Sequence, residues 1–194
     1  MLHPATELKF INEEIGLGVF ATEFIPKGTI LWVFDSLDII IPMEKFERLS
    51  EQIKKHVRKY GYRINPGDFY TLNWDITRYL NHSCRPNSRS IGNYFDIAVR
   101  DIQPGEQITV DYGILNYPDL VCLCGEPNCR GLIKANDCTI YYKQWDCEIH
   151  AALKLMKSIP QPLYEIAIMQ PEIKAIIESY PNVHIQSSKD FYIG

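Results

Sequence analysis

The chain has 194 residues, 46% of them hydrophobic and 23% charged, with 20 basic and 24 acidic side chains and a formal charge of −4. That composition excludes disorder, collagen and coiled coil, and it argues against a dedicated nucleic-acid coat while leaving room for a local basic face. At about 150 residues per domain the chain makes one domain with an extension, or two small ones, with a core that needs no crosslinks.

The N-terminal run Met1–Glu7 has no basic stretch followed by an apolar one, so no signal peptide is expected. The strongest apolar runs, Thr29–Phe34 and Ile39–Ile41, are far short of the ~20 residues of a membrane span. The expected setting is intracellular and reducing, where clustered cysteines mark metal or catalysis more often than disulfides.

The first 34 residues read as β-structure, with a tight turn at Gly16 and Gly18 and a second at Pro26-Lys27-Gly28 leading into Thr29–Phe34. The phrase Phe24–Ile30 is echoed by Asp101–Ile108, which we read as repeated turn chemistry rather than an internal repeat. One helix is predicted from Pro42 to Tyr60, with Gly61 as its cap. Its apolar face would carry Met43, Phe46, Leu49, Ile53, Val57 and Tyr60, and its outer face Lys45, Arg48, Lys54, Lys55, Arg58 and Lys59. A solvated charged face is the plain reading of that outer side, and a wall for an acidic partner the sharper one. After Lys134, Trp145, Ile149, Leu153 and Met156 predict a helix ended by Pro160 and Pro162, and Pro171 opens a second with Ile173, Ile176, Ile177 and Tyr180. The final ten residues are polar and expected to be loosely held.

Three segments carry chemistry. Cys122, Cys124 and Cys129 lie on a loop rich in Gly, Pro and Asn, where three thiolates can converge on one ion. Structural zinc wants a fourth ligand, for which Cys84, Cys138 and Cys147 are the candidates. The second segment, Asn81-His82-Ser83-Cys84-Arg85-Pro86-Asn87, packs polar groups behind apolar Tyr79-Leu80. The third, Gly105–Gly113, is a turn and strand ending in Tyr112.

In this order, together with Gly16-Leu17-Gly18-Val19-Phe20, these segments resemble a SET domain followed by a post-SET zinc loop, over roughly residues 8–134. The resemblance implies a mainly β fold with some α: small curved sheets of short strands with a knot-like threading, plus a C-terminal helical extension. It divides the chain into a SET domain at 1–117 with a helical insert at about 42–60, a post-SET loop at 118–134 and an extension at 135–194. It implies methyl transfer from S-adenosylmethionine to a protein lysine, on a histone tail or on another protein; a non-catalytic peptide-binding module is the reading of a different class. By resemblance, Ile15, Gly16, Leu17 and Gly18 form the turn against the cofactor, Asn81 and His82 anchor its adenosyl part, and Leu123 lies beside it. Tyr62 and Arg78 are grouped with them on the cofactor side. Tyr112 matches the catalytic tyrosine, and Tyr70 and Val110 join it along the substrate channel. Cys84 completes a zinc site with Cys122, Cys124 and Cys129. Val110 stands where many relatives carry Phe or Tyr, which leaves the number of methyls added open. The basic helix would offer at most a weak contact to nucleosomal DNA. Without an attached reader domain, a stand-alone microbial or viral enzyme fits as well as a nuclear one.

Overall fold

Short β-branched and aromatic runs separated by Gly and Pro turns become short strands in several small sheets. The computed structural model describes residues 1–63, 67–116 and 119–193. Strands β1 (Thr6–Asn12) and β2 (Gly16–Ala21) pair antiparallel. The Asn12 side chain accepts the backbone N–H groups of Glu14 and Ile15 at 3.0 and 2.8 Å, and Gly16 at φ 85° closes the turn. Next come β3 (Ile30–Val33) and β4 (Ile39–Pro42), the latter leading straight into a helical segment.

That segment is two helices, α1 (Met43–Glu47) and α2 (Glu51–Tyr60), not the single one predicted. The break has a local cause. Ser50 is extended and its side chain accepts the Ile53 N–H, so it caps a new helix start. Ile53 consequently leaves the apolar face and is 49% exposed, while Phe46 and Val57 stay buried. Gly61 does follow the last turn; a Cβ there would lie 2.8 Å from the Val57 carbonyl and 3.0 Å from that of Thr71. On the outer side Arg48 pairs with Glu44, and Lys54 and Arg58 with Glu51, at 2.7, 2.9 and 4.0 Å. The basic face is therefore partly neutralised by its own helices.

β5 (Phe69–Leu72) pairs with β4, and β6 (Asn81–His82) follows. β7 (Ser88–Ile91) and β8 (Phe95–Ala98) complete a sheet of order β3-β8-β7. β9 (Thr109–Val110) pairs parallel with β6. The two echoing turns stack on each other: Ile25 and Ile102 exchange backbone hydrogen bonds of 3.0 and 2.8 Å, with Gly28 and Gly105 both at positive φ. Strands β10 (Leu120–Val121) and β11 (Leu132–Ile133) then bracket the cysteine loop. The expected boundary between 117 and 118 falls outside the described residues.

The C-terminal part is α3 (Asp137–Leu153), α4 (Tyr164–Ala167) and α5 (Pro171–Ser179), with Pro171 in the first turn of α5. It forms half of the largest core. Ile149, Leu153, Met156, Leu163, Ile173, Ile176 and Ile177 pack against Ile30, Val33, Phe95 and Ile97 of the three-stranded sheet. The Gln161 amide accepts from Ile30 N at 2.8 Å and donates to the Gly28 carbonyl at 2.9 Å, completing the edge of β3. The tail is docked rather than loose. Ser188 and Phe191 are buried, Asp146 accepts from Ser187 Oγ and Ser188 N, and Asn116 bonds the backbone at Phe191 and Ile193. Composition hid this because the anchoring groups are polar side chains far away in sequence.

Candidate active site

The parallel pairing of β6 with β9 brings the second and third chemical segments together: Asn81 lies opposite Thr109 and His82 opposite Val110. Asn87 is fully buried and staples this junction, donating to the carbonyl of Gln107 at 2.8 Å and accepting from Thr109 N at 2.9 Å. Tyr112, thirty residues after His82, donates its backbone N–H to His82 Nδ1 at 3.1 Å. Its hydroxyl donates to the Leu80 carbonyl at 2.7 Å. Burial raises the phenol above its ordinary range, so Tyr112 remains a neutral hydroxyl.

Two cavities meet at this tyrosine. The larger, about 420 Å³, is walled by Ile15, Asn81, His82 and Ser83 on one side and by Cys122, Leu123, Cys124 and Ile133 on the other, with Tyr112 at its end. The smaller, about 60 Å³, is lined by Tyr112, Val110, Leu80, Tyr62, Trp32 and Asp96, among others. The Gly16–Gly18 backbone lies beside the larger one, where the Leu17 carbonyl accepts from Asn81 Nδ2 at 2.9 Å. A Cβ on Gly18 would come within 2.6 Å of Gln107 Nε2 and of Ile11 Cδ1 and 3.0 Å of Asn81 Nδ2, so a larger residue there would push these side-chain ends aside.

The cysteine loop folds back onto the same junction. Cys84 Sγ lies 3.7 Å from Cys122 Sγ, and donor atoms of His82, Cys84, Cys122 and Cys124 fall within 4.8 Å of one another. The Cys129 thiol meets those of Cys122 and Cys124. Around a tetrahedral ion with metal–sulfur bonds of about 2.3 Å, sulfur atoms sit ~3.8 Å apart, so the Cys84–Cys122 spacing fits zinc. Both ring nitrogens of His82 are already engaged. Nδ1 accepts from Tyr112, which puts the proton on Nε2, 3.3 Å from Cys84 Sγ. Burial, against the pull of Asp111, brings His82 down to about 4, so the ring is neutral. The four residues whose donor atoms cluster here are His82, Cys84, Cys122 and Cys124, so the ring of His82 stands where the resemblance places the Cys129 thiol. Burial opposes ionisation of Cys124, but backbone hydrogen bonds at Cys84 and Glu126 and the neighbouring thiols bring it to about 7.

Beneath this lies a charge network the sequence did not reveal. Asp111, buried, takes Arg89 at 3.2 Å and Arg130 at 2.6 Å; Arg89 continues to Glu148 of α3 at 2.8 Å and Arg130 to Asp137 at 3.1 Å. One carboxylate thus joins sheet, cysteine loop and C-terminal helix. Asp111→Ala leaves two buried guanidiniums short of a partner, at an expected cost of about 3–5 kcal/mol. For a chain of this size that is roughly a 10 °C loss of melting temperature, read by calorimetry. Glu44→Gln, at a solvent-exposed pair, should move it by less than about 1 °C. An Asp111→Ala midpoint within 2 °C of the wild type, taking about 1 kcal/mol as the limit of a weak pair, would show that the network carries no stability.

The remaining sequence candidates divide. Tyr62 and Arg78, grouped with the cofactor, line the smaller cavity instead. Tyr70 lines neither of these cavities: it packs on Phe46 with ring centroids 4.5 Å apart, under the Arg63 guanidinium. Its alternation on β5 turns it toward α1, an orientation that tyrosine identity alone does not disclose. Overlooked were Gln107 and Thr109 of the larger cavity and Thr77 and Asp96 of the smaller one. The isolated acid in the apolar run Phe95–Ala98 was the available signal for Asp96.

Known proteins are similar to this chain in sequence. The histone-lysine N-methyltransferase of Schizosaccharomyces pombe named as H3 lysine-36 specific is 32% identical over 137 residues, covering 64% of this chain and 17% of the relative. The histone-lysine N-methyltransferase Set2 of Drosophila melanogaster is 34% identical over 140 residues, 64% of this chain and 6% of the relative. The chain therefore spans less than a fifth of the length of these two curated relatives. Among solved structures, the methyltransferase domain of human histone-lysine N-methyltransferase SETMAR aligns with a TM-score of 0.49 at 20% identity, covering 69% of this chain and 58% of that one. The family model described as SET domain matches residues 16–113, just over half of the chain, and contains Gly16, Gly18, Asn81, His82, Cys84, Asp111 and Tyr112 of the site. The chain belongs to the SET-domain family.

Proposed function

We propose that the protein transfers a methyl group from S-adenosylmethionine to the side-chain amine of a protein lysine, with a histone tail as substrate. The observation that carries this reading is Tyr112, standing in the wall common to the 420 Å³ cavity and the 60 Å³ cavity. A methyl donor in the first and an amine in the second would meet at its hydroxyl. The relatives' names support the histone as substrate.

S-adenosylmethionine, when bound, supplies an electrophilic methyl on a sulfonium. Ile15, Asn81, His82 and Leu123, which line the larger cavity, with the adjoining Gly16–Gly18 backbone, are the residues that would hold it, and the volume of the cavity suits a ligand of that size. A lysine amine held in the smaller cavity would then form the new N–C bond, with the C–S pair left on sulfur and one proton released from the product ammonium. Displacement of this kind needs alignment and exclusion of water more than a strong base. Tyr112, Val110, Leu80 and Tyr62 provide a narrow, largely apolar passage for it. Zinc on Cys84, Cys122, Cys124 and Cys129 would hold the wall that carries Leu123 against the rest of the site.

Zinc-loaded protein incubated with radiolabelled S-adenosylmethionine and core histones or nucleosomes should label histone H3. Absence of transfer to any histone, together with absence of cofactor binding by calorimetry, would sink the reading; binding of peptide without cofactor would instead favour a peptide-binding module. If α2 tracks nucleosomal DNA, labelling of nucleosomes should fall more steeply with salt than labelling of free H3.

A further inference from the structure

The smaller cavity contains a feature that a merely apolar amine passage does not need. Asp96 sits on the central strand β8, directly opposite Trp32 on β3 and Ser90 on β7. Residues paired across neighbouring strands share one face, so all three lie on the face away from the core against α3. Phe95 and Ile97 point into that core, whereas Ala98, two residues after Asp96, joins the cluster of Trp32, Leu80 and Val110. A carboxylate therefore stands beside an apolar cluster and lines the same cavity as Tyr112.

Three polar atoms here are left unsatisfied. Asp96 Oδ1, Trp32 Nε1 and Thr77 Oγ1 are buried and find no hydrogen-bond partner among the described residues, and all three residues line the same cavity. The residues are 5%, 4% and 7% exposed, which keeps bulk water away. Burial raises the Asp96 carboxyl to about 6, against a hydrogen bond from Ser90 and the charge of the Met1 ammonium. Three orphaned polar groups around about 60 Å³ make a place for a small hydrogen-bonding guest, a few waters or one amine head. Lys59 and Arg78 also line the cavity and repel a fixed positive charge, so the guest they favour is a neutral amine.

We infer that Asp96, Trp32 and Thr77 form a polar end to the amine channel and make it selective for amines that still carry N–H. This rests on the reading that the cavity beside Tyr112 takes the substrate lysine. An amine with its lone pair toward the methyl donor points its N–H bonds at acceptors, directly or through a water. Asp96 Oδ1 and Thr77 Oγ1 can accept them. Each added methyl removes one N–H of the neutral amine and adds bulk, so the dimethylamine that would accept a third methyl has no N–H left for the carboxylate. Sites built around hydrogen bonds reject analogues that lack them strongly. Val110, too short to fill the passage and without a hydroxyl, leaves this choice to the polar end.

The experiment follows methylation of recombinant histone H3 by mass spectrometry for the wild type, Asp96→Asn, Asp96→Leu and Thr77→Val, each checked for folding by thermal melting. In parallel, protein loaded with S-adenosylhomocysteine is titrated calorimetrically with H3 peptides carrying lysine or trimethyllysine. The wild type should add the first methyl at least about tenfold faster than the third and bind the lysine peptide about tenfold more tightly. Asp96→Leu and Thr77→Val should bring both ratios to within about threefold of one, whatever their absolute rates. A wild type that trimethylates as readily as it monomethylates overturns the inference, as do folded variants with unchanged ratios. If the Asp96 variants do not fold, Thr77→Val decides on the same criteria. A wild type that neither transfers methyl nor binds the cofactor overturns the methyltransferase reading itself, a result distinct from unaltered ratios in an active enzyme.

Discussion

Cys84→Ala should strip the protein of zinc and with it of most cofactor binding, weakening metal affinity at least about a hundred-fold. Cys84 differs from the other three thiols in where its backbone belongs. It follows β6 in the SET segment, whereas Cys122, Cys124 and Cys129 all lie on the loop between β10 and β11. A metal shared among them is thus a crosslink between two parts of the site, and Cys84 is its anchor on the sheet side. Loss of partners that only orient ligands costs 10–100-fold in metal affinity, so loss of a ligand sets a higher floor. The loop supplies Cys122, Leu123 and Cys124 to the 420 Å³ cavity, so freeing it removes one wall. What would still hold the loop includes the two-residue β10–β11 ladder, the Ser83–Glu126 hydrogen bond and the Arg130 ion pairs with Asp111 and Asp137. Metal content by mass spectrometry and S-adenosylmethionine titration by calorimetry read the two effects separately. Cys147→Ala, at an exposed thiol outside this cluster, should retain one zinc per chain. If Cys84→Ala also keeps its zinc and binds the cofactor normally, the crosslink does not exist.

What could be read in advance was whatever chemistry is written in contiguous residues. Asn81–Asn87, Gly105–Gly113 and the thiols of residues 122–129 each declare themselves by residue type and spacing, and turns such as Pro26–Gly28 by local dihedral preference. Helix α5 was legible because Pro171 and the isoleucines at three- and four-residue steps agree. The losses were long-range. Ser50 splits the first helix because one hydroxyl competes for a backbone N–H, a contest that apolar periodicity does not register. The tail reads as polar, yet Asp146 and Asn116, more than forty residues upstream, hold it down. Asp111 pairs with residues 19 and 22 positions away through side chains whose directions depend on the finished fold. Tyr62 and Tyr70, alike in sequence, separate only because one edge strand turns its alternate side chains toward α1 and the other stretch faces Trp32.

Tyr112→Phe should lower kcat by about 10²–10³ while leaving binding of cofactor and peptide within about threefold, the pattern of an interaction made mainly in the transition state. The variant keeps the aromatic ring that closes both cavities and the backbone N–H bonded to His82, so shape and anchoring survive. It removes one hydroxyl whose acceptor, the Leu80 carbonyl at 2.7 Å, fixes the direction of its oxygen lone pairs. With the proton donated to Leu80, the lone pairs remain available in a residue that lines both cavities, where charge would move off the sulfonium in the proposed transfer. An oxygen held there assists the developing transition state without reorganising, and phenylalanine offers nothing in its place. The phenol cannot be a base at working pH, since burial holds its proton more firmly than usual. The pH–rate profile of the residual activity should therefore keep the wild-type shape, lowered uniformly. A stability loss of about 1–2 kcal/mol is expected from the stranded carbonyl and is too small to account for the rate. Tyr70→Phe is the matched control, because that ring packs on Phe46 away from both cavities and should leave kcat within about twofold. Single-turnover transfer to histone H3 measures both variants, and a Tyr112→Phe enzyme with more than half of the wild-type rate would move the catalytic role elsewhere.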